Sequence, residues 1–195
     1  MVKRAIAIED EKKYKVDGVS KENIAKVGKP MKIQQFYLDL DNNLVRDLII
    51  QCYGVPALKV AEEARVRVIN GGEKIVFNIK SGGTNGRAEG QDIDLDADYA
   101  GMLTAVAGVS SIKKDRYRYR RGFGIVEIDV YQDRDLVIAE FEYDKDVLSS
   151  GDVDEIVKEV IRSIDSNASI RDVTNEKGYK NKNLAVLIQS GSESV

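Results

Sequence analysis

Ionisable residues recur two positions apart in segments that otherwise have the composition of β-strands. The pairs are Glu9/Glu11, continued by Lys13, then Arg65/Arg67, Arg87/Glu89, Lys114/Arg116, Arg116/Arg118, Glu127/Asp129 and Glu140/Glu142. Because a strand directs residues i and i+2 to the same face, each pair places two charges on one side of a sheet. Charges removed from water are costly unless they are paired or bound to a ligand. Acids on some strands and bases on others therefore indicate charged faces that form a site for a polyanion together with metal ions.

The composition limits the chemistry that such a site can use. The 195-residue chain has no His and one Cys, Cys52. This excludes Ser-His-Asp and Cys-His catalysis, His-ligated zinc or iron, and Cys-based zinc clusters. A metal ion would have to be held by carboxylate oxygens, which favours Mg²⁺ or Mn²⁺.

The charge balance bears on partners and on location. The net charge is −3, from 30 Lys and Arg against 33 Asp and Glu. We therefore expect neither non-specific binding to nucleic acid nor attraction to a membrane. Tyr117 and Tyr119 alternate with Arg116 and Arg118, so we expect these rings to pack under helices rather than stack on bases. The sequence shows no apolar run of about 18 residues and no recognisable signal peptide, which predicts a cytoplasmic protein.

Alternation of polar and apolar residues predicts the strands that carry these charges. The predicted strands lie at about 5–15, 32–38, 64–69, 74–80, 87–94, 113–120, 124–132 and 136–144. Short connections at 70–73, 121–123 and 133–135 predict hairpins, so the sheet should be largely antiparallel. Eight antiparallel strands can close into a barrel that is filled by side chains or holds one small ligand. We expect an α+β fold, an eight-stranded antiparallel β-barrel with helices packed outside.

Helices are predicted at 153–165, after Ser20, at 96–107, within 42–63 and near 182–188. Asp152 and Glu155 have the spacing of a capping box at the start of the first of these helices. Segment 39–63, in which Pro56 opens a second piece, is interpreted as a helical insertion. Its role is left open between a lid, a substrate-specificity element and the contact of a homodimer. We expect one domain over 1–188 and a disordered tail over 189–195.

Several motifs follow one another in an order that resembles a known superfamily. They are Glu9-Asp10-Glu11-Lys12-Lys13, Gln35-Phe36-Tyr37-Leu38, Ala64-Arg65-Val66-Arg67-Val68, Ile75 to Lys80, Arg87-Ala88-Glu89-Gly90-Gln91, Ile112 to Arg118, Val126 to Val130, Ala139 to Glu142, and Val173-Thr174 followed by Tyr179 to Ala185. The first motif fits the ExExK signature of the CYTH, or triphosphate tunnel metalloenzyme, superfamily. The resemblance covers roughly residues 5–188.

The resemblance implies a tunnel that binds a triphosphate through Lys and Arg and a divalent metal through Glu and Asp. The implied substrate-binding residues are Lys13, Arg65, Arg67, Lys80, Arg87, Lys114, Arg116 and Arg118. The implied metal ligands are Glu9, Glu11, Asp129, Glu140 and Glu142, with Glu89 and Glu127 next. Glu9, Glu11 and Lys13 are implied in catalysis, with a carboxylate from Glu9/Glu11 or Glu140/Glu142 orienting the attacking water.

The expected activity is metal-dependent hydrolysis of inorganic triphosphate, or of a related organic or nucleoside triphosphate, with release of phosphate. One alternative is an adenylate cyclase of the same superfamily, which converts ATP to cyclic AMP and pyrophosphate. Another is a non-catalytic sensor of a triphosphate, a polyphosphate or a capped RNA end. Gln91, where the family often has Glu, and Gly178, where Arg is expected, leave room for the sensor. An RNA 5′-triphosphatase is a further alternative that the near-neutral charge does not support.

Overall fold

The computed structural model describes residues 6–81, 87–121, 124–144 and 146–185. Contacts divide the chain into two compact units. Within the described residues, the first unit comprises residues 6–9, Ile33–Ile112 and residues 181–185, and the second comprises Asp10–Lys32 and Lys113–Lys180. The single domain expected over 1–188 stays a prediction, and the tail expected over 189–195 lies outside the described residues.

The strands and helices alternate along the chain. The strands are β1 (Ile6–Asp17), β2 (Met31–Leu38), β3 (Ala61–Ile69), β4 (Lys74–Ser81), β5 (Arg87–Gly90), β6 (Ile93–Asp94), β7 (Gly108–Arg121), β8 (Gly124–Tyr131), β9 (Val137–Tyr143) and β10 (Ser169–Asp172). The helices are α1 (Lys21–Ala25), α2 (Asn43–Tyr53), α3 (Val55–Val60), α4 (Ala97–Ala107) and α5 (Ser150–Ile164), followed by a 3₁₀ turn at Lys177–Tyr179 and helical residues 181–185. Among the described residues, no helix has the length and apolar character needed to cross a membrane.

In the first unit, the start of β1 pairs with β5, and the order continues through β4 and β3 to β2. The turn between β3 and β4 lies at the predicted hairpin 70–73. Asn70, Gly71 and Gly72 all have positive φ there, at 50°, 74° and 110°. Glycine adopts this conformation without the steric penalty of a Cβ atom, which explains the Gly-Gly pair.

The core of the first unit lies between its strands and α2, α3 and α4. The helices contribute buried side chains such as Ile49, Tyr53 and Leu103, which pack against Val66 and Phe77 of β3 and β4. The segment interpreted as an insertion therefore supplies a substantial part of this core, whatever further role it has.

In the second unit, β7, β8 and β9 are followed by the later part of β1 and then by β10. The described pairings are antiparallel, which confirms the α+β class with a mostly antiparallel sheet. Tyr117 lies in the core beneath α5, whose buried face includes Val153 and Val157. This ring packs under a helix, as its alternation with Arg116 and Arg118 along the strand predicted. The closed eight-stranded barrel stays a prediction.

Several strand boundaries differ from the prediction: β7 begins at Gly108 rather than at 113, and β1 ends at Asp17 rather than at 15. Two further differences have a visible cause. β3 begins at Ala61 rather than at 64, because Ala61 and Glu63 pair with Ser81 and Lys80 across a register shift. The strand predicted over 87–94 is two short strands, β5 and β6. The residues between them bond elsewhere: the Tyr53 hydroxyl donates to the Gln91 carbonyl at 2.7 Å. A bulge and an interruption of this kind depend on partners that are distant in sequence.

Helix α5 begins three residues earlier than predicted, at Ser150. Its N-cap is Ser149, whose hydroxyl accepts a hydrogen bond from the Asp152 backbone N–H at 3.2 Å, while the Asp152 carboxylate accepts from the Ser149 N–H at 3.0 Å. This reciprocal pair is the capping box. The assignment of Asp152 and Glu155 to that role is wrong, because Ser149 precedes the apolar stripe by a full turn.

Replacing Ser149 with Ala removes the cap of α5 and should lower the free energy of unfolding by about 1 kcal/mol. Urea unfolding followed by circular dichroism measures this loss. Ser163→Ala, in the last turn of the same helix, is the control and should change stability less. Equal effects of the two substitutions would contradict the assigned cap.

Candidate functional site

A row of charged residues crosses four neighbouring strands of the second unit. Lys13 of β1 lies opposite Glu140 of β9, Glu140 lies opposite Glu127 of β8, and Glu127 lies opposite Arg118 of β7. Bases therefore occupy the two ends of the row and acids the middle. Directly opposite residues are the closest cross-strand neighbours, so each acid of the row pairs with the base beside it: Glu140 with Lys13, and Glu127 with Arg118.

Arg116 lies at the centre of the charged face. Its Nε donates to Asp129 Oδ1 at 2.7 Å, and its Nη2 donates to Asp129 Oδ2 and to Glu140 Oε2, both at 2.7 Å. Its Nη1 donates to Glu127. One guanidinium thus holds three carboxylates. The planar, forked donor geometry of Arg suits this arrangement, which a Lys could not reproduce.

Lys114 and Asp129 form a fully buried ion pair beside Arg116. Their side chains are 2% and 0% exposed. Burial, reinforced by the nearby charge of Arg116, lowers the pKa of Lys114. Burial raises the pKa of Asp129, but Arg116 and Lys114 lower it further, so the net shift is downward. Asp129 is therefore held as a carboxylate whose oxygens are occupied by two bases.

Lys13 lies between two acids. Its Nζ is 2.6 Å from Glu140 Oε1 and 3.4 Å from Glu11 Oε1. Burial lowers the pKa of Lys13, but the charges of Glu140 and Glu11 raise it further, so the net shift is upward. Burial raises the pKa of Glu140, and Lys13, Lys114 and Arg116 together hold it well below its usual range. Both groups are charged at neutral pH.

A pocket of about 310 Å³ opens beside this row. Its lining consists of Arg118, Gly124, Ile125, Glu127, Glu140 and Glu142. The Arg118 side chain is 52% exposed, and its Nε donates to Glu127 Oε1 at 2.9 Å. Glu140 Oε1 is buried and accepts no well-directed hydrogen bond from the described residues, although the Lys13 ammonium is close. The pocket therefore offers carboxylate oxygens together with a half-exposed guanidinium.

The first unit has its own charged cluster, centred on Glu89. Arg65 donates to Glu89, the Lys80 ammonium lies 2.7 Å from Glu89 Oε2, and Arg67 lies 3.6 Å from Oε1. Burial raises the pKa of Glu89, but Arg65 and Lys80 lower it further, so the net shift is downward. The cluster contains three of the predicted phosphate-binding residues.

Asn78 and Asp92 belong to this cluster and were missed by sequence reasoning. Asn78 Oδ1 accepts from Arg65 Nε at 2.6 Å, and Asn78 Nδ2 donates to Glu89 at 2.6 Å and to Asp92 at 2.8 Å. A signal was present for Asn78, which precedes Lys80 by two residues and so shares its face of β4. Asp92 had no such signal, because it lies outside the strands.

For two predicted site residues, Glu9 and Arg87, the structure describes the backbone but not the side chain. The backbones of Glu9 and Arg87 pair in the β1–β5 ladder. Their side chains lie outside the described residues.

The carboxylates of the second unit match the donor chemistry of Mg²⁺ or Mn²⁺. Glu11 and Glu142 are directly opposite in the β1–β9 ladder, where like charges are unfavourable unless a cation lies near. Among the described side chains, which leave out Glu9, no three His, Cys, Asp or Glu form a metal-binding group. Mg²⁺ usually takes only one or two carboxylates, with phosphate oxygens and water completing its shell. Such a partial site fits Glu11 and Glu142, with Glu140 beside them. Asp129 fits it less well, because it would first have to lose its ion pairs with Lys114 and Arg116.

Solved structures share this fold. A proposed adenylyl cyclase from Hippeastrum, HpAC1, described as having a dominant triphosphatase activity, matches with a TM-score of 0.54 and 13% identity, over 94% of this chain and 96% of that one. The protein PH1819 from Pyrococcus horikoshii matches with a TM-score of 0.51 and 16% identity, over 93% and 99%. A proposed adenylate cyclase from Bacillus halodurans matches with a TM-score of 0.50 and 15% identity, over 81% and 91%.

At these identities the likeness shows a shared fold. No protein-family profile matches the sequence, and no curated protein matches it. Two of these solved structures are described as proposed adenylate or adenylyl cyclases, and one of those two is also described as having triphosphatase activity.

Acidification should destabilise the protein through the buried carboxylates. Glu140 and Asp129 have lowered pKa values in the folded state, so their contribution is complete above the unfolded-state pKa, about 4, and is lost as the pH falls below it. Urea unfolding at pH 7 and pH 3 measures the difference. Glu140→Gln should reduce this difference, whereas Glu155→Gln on the exposed surface of α5 should leave it unchanged.

Removing the central guanidinium should be the most damaging single change on the charged face. Arg116→Gln removes the strongest electrostatic partner of Asp129 and one of the three basic neighbours of Glu140, and it should lower the free energy of unfolding by about 3–5 kcal/mol. Arg120→Gln, an exposed position on the same strand, should change it by less than about 0.5 kcal/mol. Urea unfolding compares the two, and a small effect of Arg116→Gln would show that the three carboxylates do not depend on it.

Proposed function

We propose that the protein is a metal-dependent hydrolase that cleaves a phosphoanhydride bond of inorganic triphosphate or a related triphosphate and releases phosphate. The observation that carries the proposal is the charged face of the second unit. There, buried Lys and Arg side chains are interleaved with carboxylates next to a pocket whose lining includes Arg118, Glu127, Glu140 and Glu142. A triphosphate needs cationic donors, and its metal needs carboxylate oxygens, so one face of this composition serves both.

Substrate binding exchanges ion pairs for phosphate contacts. Arg118 is half exposed and bound to Glu127 alone among the described carboxylates, so it can turn toward a phosphate at little cost. Lys13 is charged and contacts Glu140, which lines the pocket, so it can bind a phosphate oxygen while Glu140 turns toward a metal ion. Arg116 and Lys114 are more deeply held by Asp129. We infer that they fix the site, and that Arg118 and Lys13 provide the first contacts.

The carboxylates hold the metal and the attacking water. Glu11 and Glu142, opposite each other, would hold the ion, with Glu140 beside them. When bound, the metal polarises the phosphoryl oxygens and lowers the pKa of coordinated water. Glu140, kept ionised by its three basic neighbours, can accept a hydrogen bond from a water molecule and orient it in line with the terminal phosphorus. Attack then breaks the anhydride P–O bond, giving phosphate and pyrophosphate.

The finer predictions from the sequence remain part of the proposal. These are the eight-stranded tunnel, the role of Glu9 in catalysis, and phosphate binding by Arg65, Arg67, Lys80 and Arg87. The proposed phosphate binding is supported by the Glu89 cluster, in which Arg65, Arg67 and Lys80 share one glutamate. Such a cluster retains donor capacity for an anionic ligand.

An adenylate cyclase is the second candidate, because two solved structures with this fold are described as proposed adenylate or adenylyl cyclases. Cyclase and triphosphatase would use the same donors for the phosphate chain. They differ in the nucleophile, which is a ribose hydroxyl in the first and water in the second. Among the described residues that line the pocket, none is an aromatic residue on which an adenine could stack.

Glu142→Gln and Glu11→Gln should each lower kcat/KM for tripolyphosphate by about a hundredfold, because each removes a proposed ligand of the metal. Phosphate release is measured with Mg²⁺ or Mn²⁺, and an ATP reaction is separated by chromatography to distinguish ADP from cyclic AMP. Glu159→Gln, an exposed acid on α5, is the matched control and should retain activity.

Three outcomes would contradict the proposal. Cyclic AMP as the main product of ATP would favour the cyclase. Tight binding of tripolyphosphate without turnover under either metal would favour a sensor. Full activity in both Glu142→Gln and Glu11→Gln would remove these residues from the mechanism.

A further inference from the structure

The segment that follows β10 bonds to the main chain of Lys13. The Val173 N–H donates to the Lys13 carbonyl at 2.8 Å. The Lys13 N–H donates to Thr174 Oγ1 at 3.0 Å, and the Thr174 hydroxyl donates back to the Lys13 carbonyl at 3.4 Å. Both backbone polar groups of Lys13 are thus bound by two residues of a loop. Val173 and Thr174 are part of a sequence motif for which the proposed mechanism has no role.

These bonds determine how Lys13 sits beside Glu140. Residues along an antiparallel strand point their N–H and C=O alternately toward one neighbour and then toward the other. The N–H and C=O groups of Lys13 both point toward Val173 and Thr174, and therefore away from β9. Lys13 and Glu140 are for this reason a non-hydrogen-bonded pair of the β1–β9 ladder. In such pairs the Cα atoms are only about 4.5 Å apart and the side chains are closest. The contact of 2.6 Å between Lys13 Nζ and Glu140 Oε1 follows from this register.

The loop is itself anchored on the opposite face of β1. The Thr174 N–H donates to Asp172 Oδ1 at 2.8 Å, and Asp172 Oδ2 lies 3.4 Å from the Lys12 ammonium. Lys12 also donates to Asp154 of α5 at 2.5 Å, and the Tyr14 hydroxyl donates to the same oxygen at 2.6 Å. Side chains of β1 that alternate with Lys13 therefore hold both the helix and the loop in place.

We propose that Thr174 is a positioning residue for Lys13: its hydroxyl replaces a missing neighbouring strand and holds the Lys13 ammonium against Glu140. The structural part of this inference stands on contacts alone, and its effect on catalysis rests on the proposed function. Thr174→Val keeps the shape of the side chain and removes the hydroxyl. It leaves the Lys13 N–H without its acceptor, so the strand must shift locally to find another.

Chemical acetylation tests the position of Lys13 without any assay of activity. Wild-type protein is treated with limiting acetic anhydride, and mass spectrometry compares modification of Lys13 with that of Lys113, an exposed lysine of the same molecule. We expect Lys13 to be strongly protected in the wild type and in Thr174→Ser. In Thr174→Val it should react severalfold faster, while Lys113 does not change. Equal protection of Lys13 in Thr174→Val and wild type would overturn the proposal.

Kinetics tests the consequence for turnover. Thr174→Val should lower kcat/KM for tripolyphosphate by about tenfold or more, because small displacements of a catalytic group have large effects on rate. Thr174→Ser should restore most of the activity. Thr104→Val is the matched control: its hydroxyl donates to Ala100 within α4 of the other unit. If Thr174→Val does not fold, Thr174→Ala removes the same hydroxyl without adding a methyl group and takes its place.

The two measurements separate this inference from the proposed function. Faster acetylation of Lys13 in Thr174→Val, with no phosphate release by the wild type, would support the positioning role and contradict the triphosphatase. Unchanged acetylation with an active wild type would support the triphosphatase and contradict the role of Thr174.

Discussion

The charged face of the second unit depends on the Arg116 guanidinium, which binds Glu127, Asp129 and Glu140 at once. Ions buried in this way are stable only if each has a partner, since the loss of hydration exceeds what an isolated charge regains. Lys114 supplies the second partner of Asp129, and Lys13 that of Glu140. The face is therefore one mutually dependent set of charges.

This dependence links the binding of phosphate to the binding of metal in the proposed function. A phosphate group that binds Lys13 or Arg118 releases Glu140 or Glu127 from an ion pair. Both carboxylates stay bound to Arg116, but each would have an oxygen freed, and a divalent metal could bind it in the proposed function. Each ligand thus lowers the cost of binding the other, which is thermodynamic coupling through shared charges.

The two faces of β1 have separate tasks, as the period of two along a strand allows. Glu11 and Lys13 belong to the charged face, whereas Lys12 and Tyr14 bind Asp154 on α5. Five consecutive polar or charged residues could be read as a solvated segment. The structure shows instead that the side chains from Glu11 to Tyr14 all have partners, and that the helix and the loop after β10 stabilise the strand that carries Lys13.

The sequence alone determined the α+β class, the hairpin at 70–73, the main helices and the set of residues that share each strand face. These are local properties, because alternation and turn chemistry act over a few residues. Only the tertiary structure decided the partners: Asp129 between Lys114 and Arg116, Asn78 and Asp92 beside Glu89, and Thr174 on the backbone of Lys13. Those contacts depend on strand register and on the packing of segments far apart in sequence, which no local pattern specifies.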